Sequence, residues 1–161
     1  MLVHSSMLEP VEIPASIRAE HEAIHGALER ATREPGRVGE AARALAKVLH
    51  PHFVREEQIA LAPLGLLAPL ARGEFTPGML DVLPVTDSLS AELPRMLQEH
   101  VTIRAATMTL EEVARSEGNV TVVRLAEKLA LHARSEEEVF YPAAVLVGEL
   151  VRARAKRPHS H

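Results

Sequence analysis

Hydrophobic residues recur along this chain at three- and four-residue intervals, the spacing of α-helices that bury one face. Ile17, Ile24 and Leu28, extended by Ala27 and Ala31, predict a first helix from about Pro14 to Thr32, ended by Glu34-Pro35-Gly36. A second helix starts near Val38 and carries Leu45, Leu49, Phe53 and Ile59 before Pro63 and Gly65 close it. Residues 66–85 are punctuated by Pro69, Gly73, Pro77, Gly78 and Pro84, which predicts an irregular crossing with short helical turns at Leu66–Ala71 and Gly78–Val82. A third helix is expected to begin at Thr86 or Asp87, both suited to cap an N-terminus. Pro94 either kinks it or marks its first turn, and Leu97, Val101, Met108 and Val113 lie along it. After Glu117-Gly118-Asn119, a fourth helix runs from Val120 through Leu129 and Val139 toward Arg154, with Pro142 as a point of bending.

Four long helices with short loops inside each half predict an all-α, antiparallel four-helix bundle. Residues 1–13 read as a flexible arm, 14–151 as the bundle and 152–161 as a basic tail. Aromatic residues make up only 2% of the chain, which favours helix over strand. A net charge of −4 gives no electrostatic case for a nucleic-acid partner. The absence of cysteine removes disulfides, thiolate zinc sites and cysteine-held iron–sulfur clusters. No apolar run approaches the roughly 18 residues of a membrane span, and no basic start precedes an apolar segment, so a cytoplasmic protein without a membrane partner is expected. Monomer and homodimer both remain open.

The chain also repeats itself. Leu-Ala-x-x-Leu-x-x-His-x-x-x-Glu-Glu occurs at residues 45–57 and again at 125–137, and Glu20-His21 recurs as Glu99-His100. The offsets agree, with 100 − 21 = 79 and 132 − 52 = 136 − 56 = 80. On a helix, positions i and i+4 share a face, so His52 with Glu56, and His132 with Glu136, can both point at the bundle axis. With His21 and His100 from the other two helices, the set is four imidazoles and two carboxylates. It suits a pair of divalent cations, iron foremost, with manganese or zinc also compatible. One tetrahedral zinc would leave ligands unused. Two cations also explain how two carboxylates can be buried.

The order His21, His52-x-x-x-Glu56, His100, His132-x-x-x-Glu136 resembles the hemerythrin-like (HHE cation-binding) family. The flanks Glu-His-x-x-Ile at 20–24 and 99–103, and Glu-Glu-x-x-Phe-Tyr-Pro from Glu136, resemble it too, and the likeness spans residues 16–150. It implies a non-heme di-iron centre inside a four-helix bundle, bridged by two carboxylates and an oxo or hydroxo group. His21, His52, Glu56, His100, His132 and Glu136 are the implied ligands. The chain departs from the oxygen carriers in two places. They carry a second third-helix histidine where Arg104 stands here, and they place the last carboxylate one residue later, at Glu137. The repeat favours Glu136, and Glu137 stays open. Fewer protein ligands leave more open positions for a small diatomic or peroxide ligand, which favours turnover of peroxide or nitric oxide over reversible oxygen carriage.

Other readings of the same residues stand beside this one. His25, one turn after His21, is either a fifth nitrogen or an outer or surface histidine. His21-Glu22-Ala23-Ile24-His25 also fits the His-Glu-x-x-His pattern of a mono-zinc hydrolase. An iron or oxygen sensor without turnover is the alternative within the di-iron class. Pro51 is expected to kink or restart the second helix. His50 is expected to face solvent, Glu57 and Glu138 to be solvated or outer partners, and Phe53 and Phe140 to be core. Tyr141, nine residues after His132, is expected on the opposite side of its helix, away from any metal.

Overall fold

The computed structural model describes residues 11–157. Among them every regular element is helical. Helix α1 (Ala15–Thr32) buries His21, Ile24, Leu28 and Ala31, a stripe at three- and four-residue steps. Helix α2 (Gly36–Glu56) buries Leu45, Leu49, His52, Phe53 and Glu56 on one face. It continues through Pro51 without a restart; Pro51 itself is exposed. The expected disturbance falls later, in a π-helical turn at Glu57–Leu61 followed by a 3-10 turn at Ala62–Leu66. The crossing contains short helix α3 (Leu67–Ala71) and a 3-10 turn at Pro77–Val82.

Helix α4 (Leu83–Ser116) begins three to four residues earlier than Thr86 or Asp87 and carries Pro94 in its interior. Thr86 is buried, its hydroxyl donating to the Leu83 carbonyl at 3.2 Å, and Asp87 pairs with Arg152. The apolar residues read along α4 lie mostly on its outer face: Leu97, Val101 and Met108 are exposed. The buried stripe is Met96, His100, Ile103, Thr107, Leu110 and Ala114, which starts one residue away. Two stripes with the same period compete on this helix, and the inward one contains the polar residues.

The fourth helix is two helices. Helix α5 (Val120–Ser135) is capped by the Asn119 side chain, which accepts from the Val122 amide at 3.2 Å. A second π-helical turn, Glu136–Phe140, leads into helix α6 (Tyr141–Ala155) with Pro142 in its first turn. Val120 and Val139 are exposed. Gly118, at φ +69°, turns the chain between α4 and α5 in a conformation few other residues adopt. Val11 and Ile13 pack on the core, so the end of the expected arm is docked. The rest of the arm, His4, and tail residues His159 and His161 lie outside the described residues. The helix extends into the expected tail as far as Ala155. No described helix is long and apolar enough to cross a membrane.

Helices α1, α2, α4 and α5 pack around a first apolar cluster that includes Ile24, Leu28, Leu45, Leu49, Ile103, Leu110, Leu125 and Leu129. A second cluster holds Ala60, Leu61, Leu64, Leu89, Met96, Tyr141 and Ala144. A third, under the crossing, holds Leu66, Leu70, Met79, Val82, Val147 and Val151. Along α2, and along α5 into α6, the chain passes from the first cluster to the second. Along α1 and α4 it passes the other way. The buried histidines and glutamates lie where each helix crosses between the two.

At Gly148, α6 packs closely against Thr86 of α4. A Cβ there would sit 2.3 Å from Thr86 Oγ1 and 2.6 Å from Thr86 Cβ. Gly148→Ala is expected to destabilise the fold by about 1–3 kcal/mol through overpacking, read as a lower midpoint in urea unfolding with an unchanged slope.

Candidate metal centre

Each long helix delivers one histidine to the boundary between the two clusters, and two of them add a glutamate one turn on. His21, His52, Glu56, His100, His132 and Glu136 are all buried, none more than 3% exposed. The shared face of i and i+4 positions aims His52 with Glu56, and His132 with Glu136, into one space. Glu136 Oε2 lies 3.3 Å from His132 Nε2 and 3.7 Å from His21 Nε2, and its Oε1 lies 3.5 Å from His100 Nε2. Glu56 Oε2 lies 3.4 Å from His21 Nε2 and 3.9 Å from His52 Nε2. The side chains form two groups able to hold a metal ion, His21-His132-Glu136 and His52-His100-Glu136, each with donor atoms within 4.8 Å of one another. Glu136 belongs to both.

The outer nitrogens of the four rings are all engaged. Nδ1 of His52 lies 3.0 Å from Glu99, that of His100 2.9 Å from Glu137, that of His132 3.2 Å from Glu20 and that of His21 3.3 Å from Glu57. An acceptor-only carboxylate at each Nδ1 favours a proton there and turns each Nε2 inward. Arg55 braces Glu99, and Arg104 braces Glu137 at 3.0 Å. Glu137 and Arg104 therefore sit outside the imidazoles. Glu57 partners His21, while Glu138 is exposed and pairs with Arg134. These four carboxylates also follow the repeat: Glu20 matches Glu99, and Glu57 matches Glu137. The sequence left Glu57 as a solvated or outer partner and Glu137 as an alternative ligand, and showed Glu20 and Glu99 only as a recurrence. Their function is legible only once the helices are packed, because Glu20 and Glu99 each serve the histidine of the opposite half.

Burial lowers the pKa of His100, and the neighbouring His52 adds to the effect; Glu137 and Glu56 only partly oppose it. Burial likewise lowers that of His132, against the pull of Glu56. In His21 the same burial is outweighed by Glu56 and Glu57, and the pKa is raised. The inner atoms His21 Nε2, Glu56 Oε2, His132 Nε2 and Glu136 Oε2 are buried without a hydrogen-bond partner. Unpartnered carboxylate oxygens facing imidazole lone pairs are costly in a dry interior, and a cation between them removes the cost. The donor set of imidazoles with carboxylates fits a divalent transition metal.

His25 lies apart. It is exposed, stacks near His50 at a ring separation of 5.7 Å, and lines a surface groove of about 450 Å³ with Arg18, Glu22 and Glu57. It belongs to neither group able to hold a metal among the described residues, and it is exposed while His21 is buried, so the structure brings no third ligand to a His-Glu-x-x-His pair. His50 is exposed, as expected. Phe53 stacks on His21 at 4.4 Å, and Phe140 stands edge-on to His132 at 6.4 Å.

Tyr141 departs most from the sequence expectation. It is 1% exposed, and its hydroxyl lies 3.0 Å from Glu56 Oε1, 3.2 Å from His100 Nε2 and 3.3 Å from His52 Nε2. Nine uniform α-helical steps from His132 would turn it about 180° away, but the extra residue of the intervening π turn brings it back to about 80°. Burial, with Glu56 beside it, raises the phenol pKa.

A helical protein with paired buried imidazoles, shared carboxylates and an outer ring of orienting carboxylates falls in the class of cation-binding helical domains. The family model of the hemerythrin HHE cation binding domain matches residues 12–144, and the chain belongs to that family. No curated protein and no solved structure matches it. In such a domain Glu99→Ala frees the His52 ring and is expected to weaken metal affinity about 10- to 100-fold, measured by competition with a chromophoric chelator. Unchanged affinity would show that this carboxylate does not orient the ring.

Proposed function

We propose that the chain is an antiparallel four-helix bundle of two repeated hairpins that holds two iron ions. One sits between His21 and His132 and the other between His52 and His100, with Glu56 and Glu136 shared. The observation that carries this reading is the set of buried, unpartnered inner atoms, His21 Nε2, Glu56 Oε2, His132 Nε2 and Glu136 Oε2, which face one another across the layer. Bound iron supplies open coordination positions and one-electron chemistry for a small ligand. The protein side chains orient the donors, balance charge and exclude water.

The proposed ligand is dioxygen or nitric oxide, or peroxide that is turned over. A cavity of about 10 Å³ touches His52, His100, His132 and Glu136 and is walled by Leu49, Phe53, Ile103 and Leu129. That space is on the order of one water-sized group at most, which suits a small ligand better than a bulky substrate. Helix α4 supplies only His100 to the layer, because Arg104 is half-exposed and directed at Glu137. The scarcity of protein donors favours turnover over reversible carriage.

Iron-loaded protein is expected to contain two irons per chain, and Glu56→Ala to lose metal. A full complement in that variant, by elemental analysis, would remove the shared role assigned to Glu56. Chelation of the metal is expected to lower the melting temperature, because the ions bind only the folded chain. Sustained consumption of peroxide or nitric oxide marks an enzyme; a single stoichiometric uptake marks a binder or sensor.

A further inference from the structure

Resting on the di-iron reading, the geometry points to Tyr141 as a direct ligand, through its phenolic oxygen, of the metal held by His52 and His100. His52 Nε2 and His100 Nε2 are 2.9 Å apart, and Tyr141 Oη lies 3.3 Å from the first and 3.2 Å from the second. Donors about 2.0–2.2 Å from one ion, at angles of roughly 90–110°, are separated by roughly 2.8–3.6 Å, so the three atoms have the mutual spacing of a coordination triangle. Hydrogen bonding alone does not account for it. The Nδ1 atoms of both imidazoles face the carboxylates of Glu99 and Glu137, and a neutral ring with its proton there has no hydrogen at Nε2 to donate. The single phenol hydrogen points to Glu56 Oε1, the nearest of its three acceptors at 3.0 Å. Three lone pairs then converge on one point with no proton between them, an arrangement that a cation stabilises.

The phenol also breaks the symmetry of the repeat. Its counterpart in the first half is Leu61, since 141 − 80 = 61, a buried apolar residue of the second cluster. The His52/His100 position thus gains an oxygen donor, and the position between His21 and His132 is the more open of the two. Coordination would replace the phenol O–H bond with an oxygen–metal bond, the proton being released to solvent as the metal loads.

Tyr141 is the one tyrosine in the chain, so a tyrosinate signal has a single source. The test loads full-length protein with ferrous iron, oxidises it in air and records visible absorption, resonance Raman spectra and iron content. The expected result is two irons per chain and a visible charge-transfer band whose excitation enhances tyrosine ring modes. In Tyr141→Phe the band is expected to vanish while two irons remain. Two irons without enhanced tyrosine modes would overturn the assignment and leave the di-iron reading intact. Failure of the wild-type chain to bind two irons would overturn both. Should the Phe variant not fold, the wild-type Raman spectrum decides alone.

Discussion

Two carboxylates sealed between apolar clusters set the terms for the rest of this molecule. Glu56 and Glu136 are essentially inaccessible to water, and an uncompensated buried charge costs on the order of several kcal/mol. Their neighbours are imidazole nitrogens and, for Glu56, the Tyr141 hydroxyl, and burial holds two of those rings, His100 and His132, toward their neutral form. The chain alone leaves inner atoms of both carboxylates unpartnered. Metal cations in the layer would convert that deficit into the strongest set of interactions in the core.

Much of the surrounding architecture serves that layer. Carboxylates at the outer nitrogens fix all four rings, and two of them are braced in turn by Arg55 and Arg104. The two π turns follow or begin at the glutamates of the repeat, Glu57–Leu61 after Glu56 and Glu136–Phe140 at Glu136. Irregular turns of this kind concentrate at functional sites because they re-aim a helix face without breaking the helix. Here the second turn swings Tyr141 into the layer, while the first brings Leu61 into the second apolar cluster.

The long helices were legible because their stripes and breakers are local signals. Residues 45–57 and 125–137 were legible as a pair because chemistry, and not only hydrophobicity, repeats in them. The buried face of α4 was not legible, since Leu97, Val101 and Met108 match a helical period as well as the inward stripe does, and that stripe contains His100 and Thr107. Polar residues recruited to a core defeat a reading based on hydrophobicity. Tyr141 was misplaced for a different reason. A count of 100° per residue assumes an unbroken α-helix, and no residue in Glu136–Phe140 announces the extra one. The roles of Glu20, Glu57, Glu99 and Glu137 depend on contacts between helices, which spacing along one helix cannot supply.

Anomalous diffraction at the iron edge from crystals of the iron-loaded chain tests the central claim most directly. The account predicts two peaks inside the helical layer, one between His21 and His132, the other between His52 and His100, with Glu56 and Glu136 reaching both. A lone peak, or peaks confined to the surface groove beside His25 and His50, would contradict it.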